Sequence, residues 1–229
     1  MTVAENIEPW RRRLFIPNYQ LREAARYAQI GADTVADWHK VGRRKTLSAR
    51  EGKAALSYLQ LIEVAVVAAF RRAGLSLNNI RETREYVAKQ FECEFPFAQY
   101  KFKADGKRLV MDFQQIAGEK GEGKVLRPDQ GGQLAWEIIL GRLSEFDYET
   151  KGIAVKWRVA GQKSPIIIDP RIAYGAPAIK GTPTWVLSGR WEAGEAVSDI
   201  AEDFDLTPEE VREALEFEAV ERDGERWTH

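Results

Sequence analysis

Residues 55–73 read ALSYLQLIEVAVVAAFRRA, and wound into a helix they are apolar on nearly every side. A helix without a polar face cannot lie on a surface, so much of it should be buried, against the rest of the chain or against a second copy. The longest unbroken apolar run inside it, Val64 to Phe70, falls far short of the roughly 20 residues that span a bilayer. The enclosure must therefore be protein. Arg71, Arg72 and Gly74 supply the positive last turn and the glycine that end such a helix. Ser76 then opens SLNNIRETREYVAKQFE, with Leu77, Ile80, Arg84 and Val87 on successive turns, a second helix that is half exposed. The chain has 229 residues, more than one typical domain and fewer than three.

Ahead of this core lies YQLREAARYAQIGADTVADWHKVG. Leu21, Ala24, Ala25 and Ala28 follow i, i+3, i+4, i+7, the stripe of a short amphipathic helix. Gly31 breaks it. Asp33 or Thr34 can cap a second helix that carries Val35 and Trp38, and Gly42 ends that helix. Two short helices across a tight turn make a helix-turn-helix pattern, and the small Ala24 and Ala25 suit the close crossing. The second helix is then the reader. Thr34, Asp37, His39 and Lys40 are expected at the DNA, with Arg22 on the first helix, while Val35 and Trp38 face the core. His39 also reads as an ordinary surface residue. Arg43, Arg44 and Lys45 follow as the basic tip of a wing that touches phosphates. The apolar helix at 55–73 offers a surface for pairing two such domains.

The middle of the chain changes character. QYKFKADGKRLVMDFQQI alternates on both sides of Asp105-Gly106, which predicts a β-hairpin. Residues 130–145 predict a helix and residues 153–159 a strand. A carboxy-terminal domain begins near Pro165, with short helices from Trp185 to Trp191 and from Val197 to Phe204. Thr207-Pro208-Glu209-Glu210 is an N-cap, a first-turn proline and a pair of acids, opening a helix that buries Val211, Ala214 and Leu215. The expected fold is mainly α with a small β portion. It divides into residues 1–92, a central β/α region at 93–163, and a carboxy-terminal module at 164–229.

Charge is unevenly spread. The net charge is -1, yet residues 1–50 carry ten Lys/Arg against five Asp/Glu. Residues 151–191 carry seven basic and one acidic side chain, and residues 192–229 carry three basic and fourteen acidic. A basic front suits a polyanion, and the acidic end would be repelled by one. Two histidines and one cysteine leave too little for a His/Cys metal site or a Cys/His catalytic pair. No phosphate-binding glycine loop and no nucleophile elbow is present. Neighbouring acids such as Glu209-Glu210 sit at a helix start, where no burial would raise a pKa for acid–base work. The expectation is a protein that is not an enzyme, with no cofactor and no metal. The amino terminus lacks an apolar signal core and Cys93 has no cysteine to pair with, so a cytoplasmic location is expected.

The stretch from Ile166 to Glu218 carries Asp169-Pro170-Arg171, then Gly175-x-Pro177-x-Ile179-x-Gly181-Thr182, then Ala193-Gly194-Glu195, Ile200-Ala201-Glu202-Asp203-Phe204 and Leu206-Thr207-Pro208-Glu209-Glu210-Val211. It resembles the trihelical VapB-like antitoxins, which are encoded beside PIN-like nuclease toxins. The amino-terminal part looks like a MerR-type helix-turn-helix. The combination is similar to full-length antitoxins of this group. The resemblance implies a winged amino-terminal DNA-binding domain, operator DNA and a PIN-like ribonuclease toxin as partners, and a homodimer or larger hetero-oligomer. Toxin contacts would come from Asp169, Arg171, Lys180, Trp185, Arg190 and Trp191. Arg171, Lys180 or Arg190 would sit among the nuclease's metal-binding carboxylates. Taken by residue type, Asp169-Pro170-Arg171 reads first as a turn, and Trp185 and Trp191, at i and i+6, read first as core, with partner contact the second reading of each. The link Gly181-Thr182-Pro183-Thr184-Trp185 is shorter than the family usually has. A MerR-like regulator that senses a small molecule through the central region is the alternative, and an adaptor without DNA is a third.

Overall fold

The structure is a computed structural model and describes residues 8–39, 46–47, 54–105, 132–150, 152–219, 221–222 and 225–226. The chain divides into two compact units, Met1–Val155 and Lys156–His229.

The first unit is built around α4 (Tyr58–Arg72), every residue of which from Tyr58 to Phe70 is buried. Its start is fixed by a reciprocal cap: Ser57 Oγ accepts from the Gln60 N–H at 3.3 Å, and Gln60 Oε1 accepts from the Ser57 N–H at 2.8 Å. Ahead of it come α1 (Pro9–Arg13), α2 (Leu21–Ala28) and α3 (Ala32–Trp38); behind it come α5 (Leu77–Phe91) and α6 (Gly132–Leu143). Helices α2 and α6 both pack on α4. Its end is tied to α2, since Arg72 Nη1 donates to the Ala28 carbonyl at 3.1 Å. A bridge between Tyr19 and Leu56 sets the entry to α2 beside the entry to α4.

Helix α5 buries Ile80, Thr83, Arg84 and Val87, a stripe at i, i+3, i+4, i+7. The Arg84 guanidinium lies 3.5 Å from the fully buried Glu63 carboxylate of α4 and donates to the Glu94 carbonyl at 2.5 Å. Phe70, Phe97 and Phe102 meet with ring centroids 5.1 to 5.9 Å apart at tilted or edge-on angles, a geometry that adds to simple burial.

Two expectations are corrected here. Residues 100–105, expected as the first arm of a hairpin, are helical. The alternation of Tyr100, Phe102 and their lysines is weak, and the packing of Phe102 on Phe70 and Phe97 overrides it. The second arm lies outside the described residues. The apolar helix α4 is enclosed within its own unit and has no open face for pairing two chains.

Strands β1 (Phe146–Tyr148), β2 (Ala154–Arg158), β3 (Ile167–Ile168), β4 (Pro177–Ile179) and β5 (Thr182–Pro183) follow one another in the same spatial order. The fold is thus mainly α with a small β portion. In the second unit Trp157 pairs with Ile168, Ile168 with Pro177 and Ile179 with Thr182, all antiparallel. Three helices complete it: α7 (Thr184–Glu192), α8 (Val197–Asp203) and α9 (Pro208–Glu218). Leu187, Ile200, Ala201, Val211, Ala214 and Leu215 are buried between them. Thr207 and Glu210 form a second reciprocal cap at the start of α9.

Candidate functional site

In the first unit, α2 opens on a Gln20–Glu23 capping box and ends at Gln29, whose left-handed backbone (φ 58) turns the chain toward α3. Gly31 caps α3. Ala24, Ala25 and Ala28 are buried on one side of this turn, and Val35 and Trp38 on the other. The outer face of α3 therefore presents Asp33, Thr34 and Asp37, all exposed. His39, half-buried, is the C-cap residue of α3. Arg22 is exposed on α2. Lys40, Arg43, Arg44 and Lys45 lie outside the described residues. Thr46 and Leu47 beyond them are buried, and Arg81 Nε of α5 donates to Thr46 Oγ1 at 2.8 Å. The described face of α3 thus holds two acids and no cation. Attraction to phosphate would have to come from elsewhere, such as Arg22 on α2, the run 40–45 outside the described residues, or the exposed Arg12, which sequence reasoning missed although it stands in the run Arg11-Arg12-Arg13.

In the second unit the structure resolves several open readings. Asp169 is buried and accepts from Arg171 three times over: from the backbone N–H at 2.9 Å, from Nε at 2.8 Å and from Nη2 at 2.6 Å. With Pro170 between them, the pair is a self-closed turn. Lys180 and Gly181 are the two central residues of the β4–β5 hairpin, both at positive φ (47 and 93), as a tight two-residue turn requires. Lys180 Nζ pairs with Glu210 at 2.9 Å. The Glu210 carboxyl is held below the ordinary glutamate range, first by the Thr207 backbone N–H it accepts from and then by Lys180.

Arg190 is held hardest. It makes a two-pronged pair with Glu195, reaches Asp203 at 2.6 Å, and lies 5.5 Å over the Phe204 ring. These two acids raise its already high pKa further. Trp191 is half-buried. Trp185 is not core: 63% of it is exposed on the first turn of α7. A residue at i and another at i+6 fall on different sides of a helix, so the two tryptophans do not share a fate. Sequence reasoning missed Ile172 and Tyr174, which are 42% and 75% exposed. They sit in a stretch with no periodicity, and only the following Gly175 hinted at unusual backbone there.

Among the described residues no group of three His, Cys, Asp or Glu could hold a metal ion. Burial and the nearby Glu63 push the Cys93 thiol upward, away from the reactive thiolate. No described helix is long and apolar enough to cross a membrane.

Comparison with known proteins adds three findings. A family described as a protein of unknown function, DUF433, matches residues 166–217, which is the three-helix module with the strands that precede it. A Mycobacterium tuberculosis protein named "Putative antitoxin VapB45" is 26% identical over 227 residues, covering 89% of this chain and 95% of that protein. The crystal structure of Rv2018 from the same organism superposes with a TM-score of 0.72 at 24% identity, covering 89% of this chain and 99% of that one. The last establishes the fold; the second makes the chain similar, across both of its units, to a protein named as an antitoxin.

Proposed function

We propose that this chain is the antitoxin of a toxin–antitoxin pair. Its second unit binds and silences a PIN-like ribonuclease, and its first unit binds operator DNA and represses the shared operon. The chain performs no chemistry itself in this reading, needs no cofactor, and works in the cytoplasm. The observation that carries the reading is the extent of the likeness to the VapB45 protein, 89% of one chain and 95% of the other. A shared module alone would match over one unit, as the DUF433 family does.

The site geometry supports the division of labour. The α2–α3 pair presents Asp33, Thr34 and Asp37 on its outer face with His39 half-buried at its end; Arg22 is exposed, and Lys40, Arg43, Arg44 and Lys45, the further proposed phosphate contacts, lie outside the described residues. A seven-residue helix reads only a few base pairs, so two copies would act together on half-sites about 34 Å apart. On the second unit, Asp169, Arg171, Lys180, Trp185, Arg190 and Trp191 are the proposed toxin contacts. A nuclease site built of carboxylates awaiting Mg²⁺ attracts a guanidinium or ammonium group. Each cation here already has an acid of its own, and entering the toxin means exchanging it. Lys180, with one acid, exchanges most readily; Arg190, with two acids and a ring, least. The test is a search for a small open reading frame beside the gene for this chain and co-expression with its product. Formation of a complex in which ribonuclease activity is silenced is the expected result. Absence of a complex would sink the antitoxin reading.

A further inference from the structure

We propose that Phe15, Ile16 and Phe95, edged by Arg12, Glu92 and Glu94, form the face through which two copies of this chain pair. Operator binding as read above calls for two copies without saying how they meet, and the proposal rests on that reading. With α4 enclosed, the pairing face has to lie elsewhere on the first unit.

Two arms of that unit build the patch. The first follows α1. Leu14 and Tyr19 are buried, and the residues between them, Phe15 to Asn18, are all exposed. Both ends of this short loop are pinned: the Leu14 carbonyl accepts from the Leu59 N–H at 3.3 Å, and the Asn18 N–H donates to the Leu56 carbonyl at 2.8 Å. The second arm follows α5. Glu92 turns the chain at φ 51, Arg84 holds the Glu94 carbonyl, and Pro96 and Phe97 are buried, so Phe95 is fixed between anchored neighbours. The Phe15 and Phe95 rings meet edge-on, with centroids 5.9 Å apart. Phe15 and Ile16 nevertheless remain 56% and 53% exposed. An apolar group held so firmly loses little freedom when something covers it.

A grouping of this kind is the mark of an interface, whereas single exposed apolar residues are ordinary. Ile138 and Leu140, the other exposed large apolar side chains described in this unit, stand two apart on α6 and fall on different sides of it. Charge identifies the occupant. Arg11 is answered by Glu8 and Glu149, at 3.5 and 2.5 Å. The exposed Arg12 beside it pairs with no acid among the described residues, and the exposed Glu92 and Glu94 pair with no cation there. The cation belongs to the Phe15 arm and the acids to the Phe95 arm. A two-fold axis between the arms sets each against its opposite: Phe15 and Ile16 meet the Phe95 arm of the other copy, and Arg12 meets that copy's acids. The patch is thus complementary to itself, an apolar centre with a rim of both signs. Duplex DNA fits it poorly, because Glu92 and Glu94 would repel phosphates.

The position suits the use. Residue 18 is followed at once by the bridged Tyr19 and by the cap of α2, so pairing here would fix two α2–α3 elements relative to one another.

The experiment is sedimentation of the full-length chain, without DNA, over a concentration series. The wild type should pass from monomer to dimer. Phe15→Ser with Ile16→Ser is expected to raise the dimer dissociation constant by roughly thirtyfold or more, as loss of a central apolar anchor does. Ile138→Ser should pair as wild type. Charge reversal reads the geometry. Arg12→Glu sets like charges against each other in its own dimer, and so does Glu92→Lys with Glu94→Lys; each should pair about tenfold more weakly. Mixed in equal amounts, these two variants should pair with each other about as tightly as the wild type does with itself. Unchanged thermal unfolding of every variant shows that the fold is kept. A wild type that stays monomeric, a dimer that survives the double truncation within about twofold, or reversed variants that fail to rescue one another would overturn the proposal. A dimer that behaves as expected but binds duplex DNA with no salt dependence would uphold this face and remove the operator reading instead.

Discussion

Glu63 and Arg84 meet at 3.5 Å with the carboxylate wholly out of water, and a pair in that position is held by mutual need. Removing either partner leaves the other's charge in a low-dielectric core, which costs about 3–5 kcal/mol. Replacing both with apolar groups of similar volume avoids that penalty. Arg84→Met alone is therefore expected to lower stability by about 3–5 kcal/mol, and Glu63→Leu with Arg84→Met together to recover most of it. Denaturant melts of the three variants decide the point; additive losses would show that the pair is not coupled. Arg190→Ala should likewise lower the melting temperature, because Glu195 and Asp203 lose the cation that both of them share. At this scale the sequence was only partly legible. Arg190 and Trp185 stood out by residue type, but type does not say whether a cation is already paired or an indole already covered. Tyr174 drew no notice, because its exposure comes from a left-handed backbone that no side-chain pattern announces.

Elements were easier to read than residues. The starts of α4, α5 and α9 follow from Ser57, Ser76 and Thr207, each of which accepts from the N–H three residues on. The enclosure of α4 follows from its composition alone. What encloses it does not, since contacts distant in sequence leave no periodic trace; the helical turn at 100–105 is the instance where local alternation gave way to them. The start of α9 also carries a pH dependence. The Thr207 N–H and Lys180 hold the folded-state pKa of Glu210 below its unfolded value. The stabilisation is then complete above the ordinary glutamate value of about 4.3 and is lost as pH falls through the lower folded value. Thr207→Ala should cost about 1 kcal/mol at neutral pH. Glu210→Gln should flatten the decline in melting temperature below about pH 5. A decline of unchanged steepness would mean that other carboxylates govern acid unfolding.

Across the whole chain, charge is the property that was most legible and the one the structure explains best. Among the described acids of this part, Asp199, Glu202, Glu209 and Glu216 face solvent on α8 and α9. A chain whose front is basic and whose end carries fourteen acids against three cations works against itself on DNA. In the proposed reading, affinity for operator-length duplex should fall with salt at a log–log slope of about -0.9 for each phosphate contacted. Neutralising Arg43, Arg44 and Lys45 together should reduce that slope by nearly three. Neutralising Glu202, Glu209 and Glu216 should do the opposite to affinity, tightening binding at low salt by removing repulsion, with little effect above about 0.3 M, where screening shortens the reach of exposed charge. The second result separates field from contact: these acids touch no phosphate, so a gain that persisted undiminished at high salt would mean a direct conformational effect and not electrostatic repulsion. Fluorescence anisotropy over a salt series with both triple variants measures the two slopes side by side. A wild-type slope near zero would remove DNA as a partner of the first unit altogether.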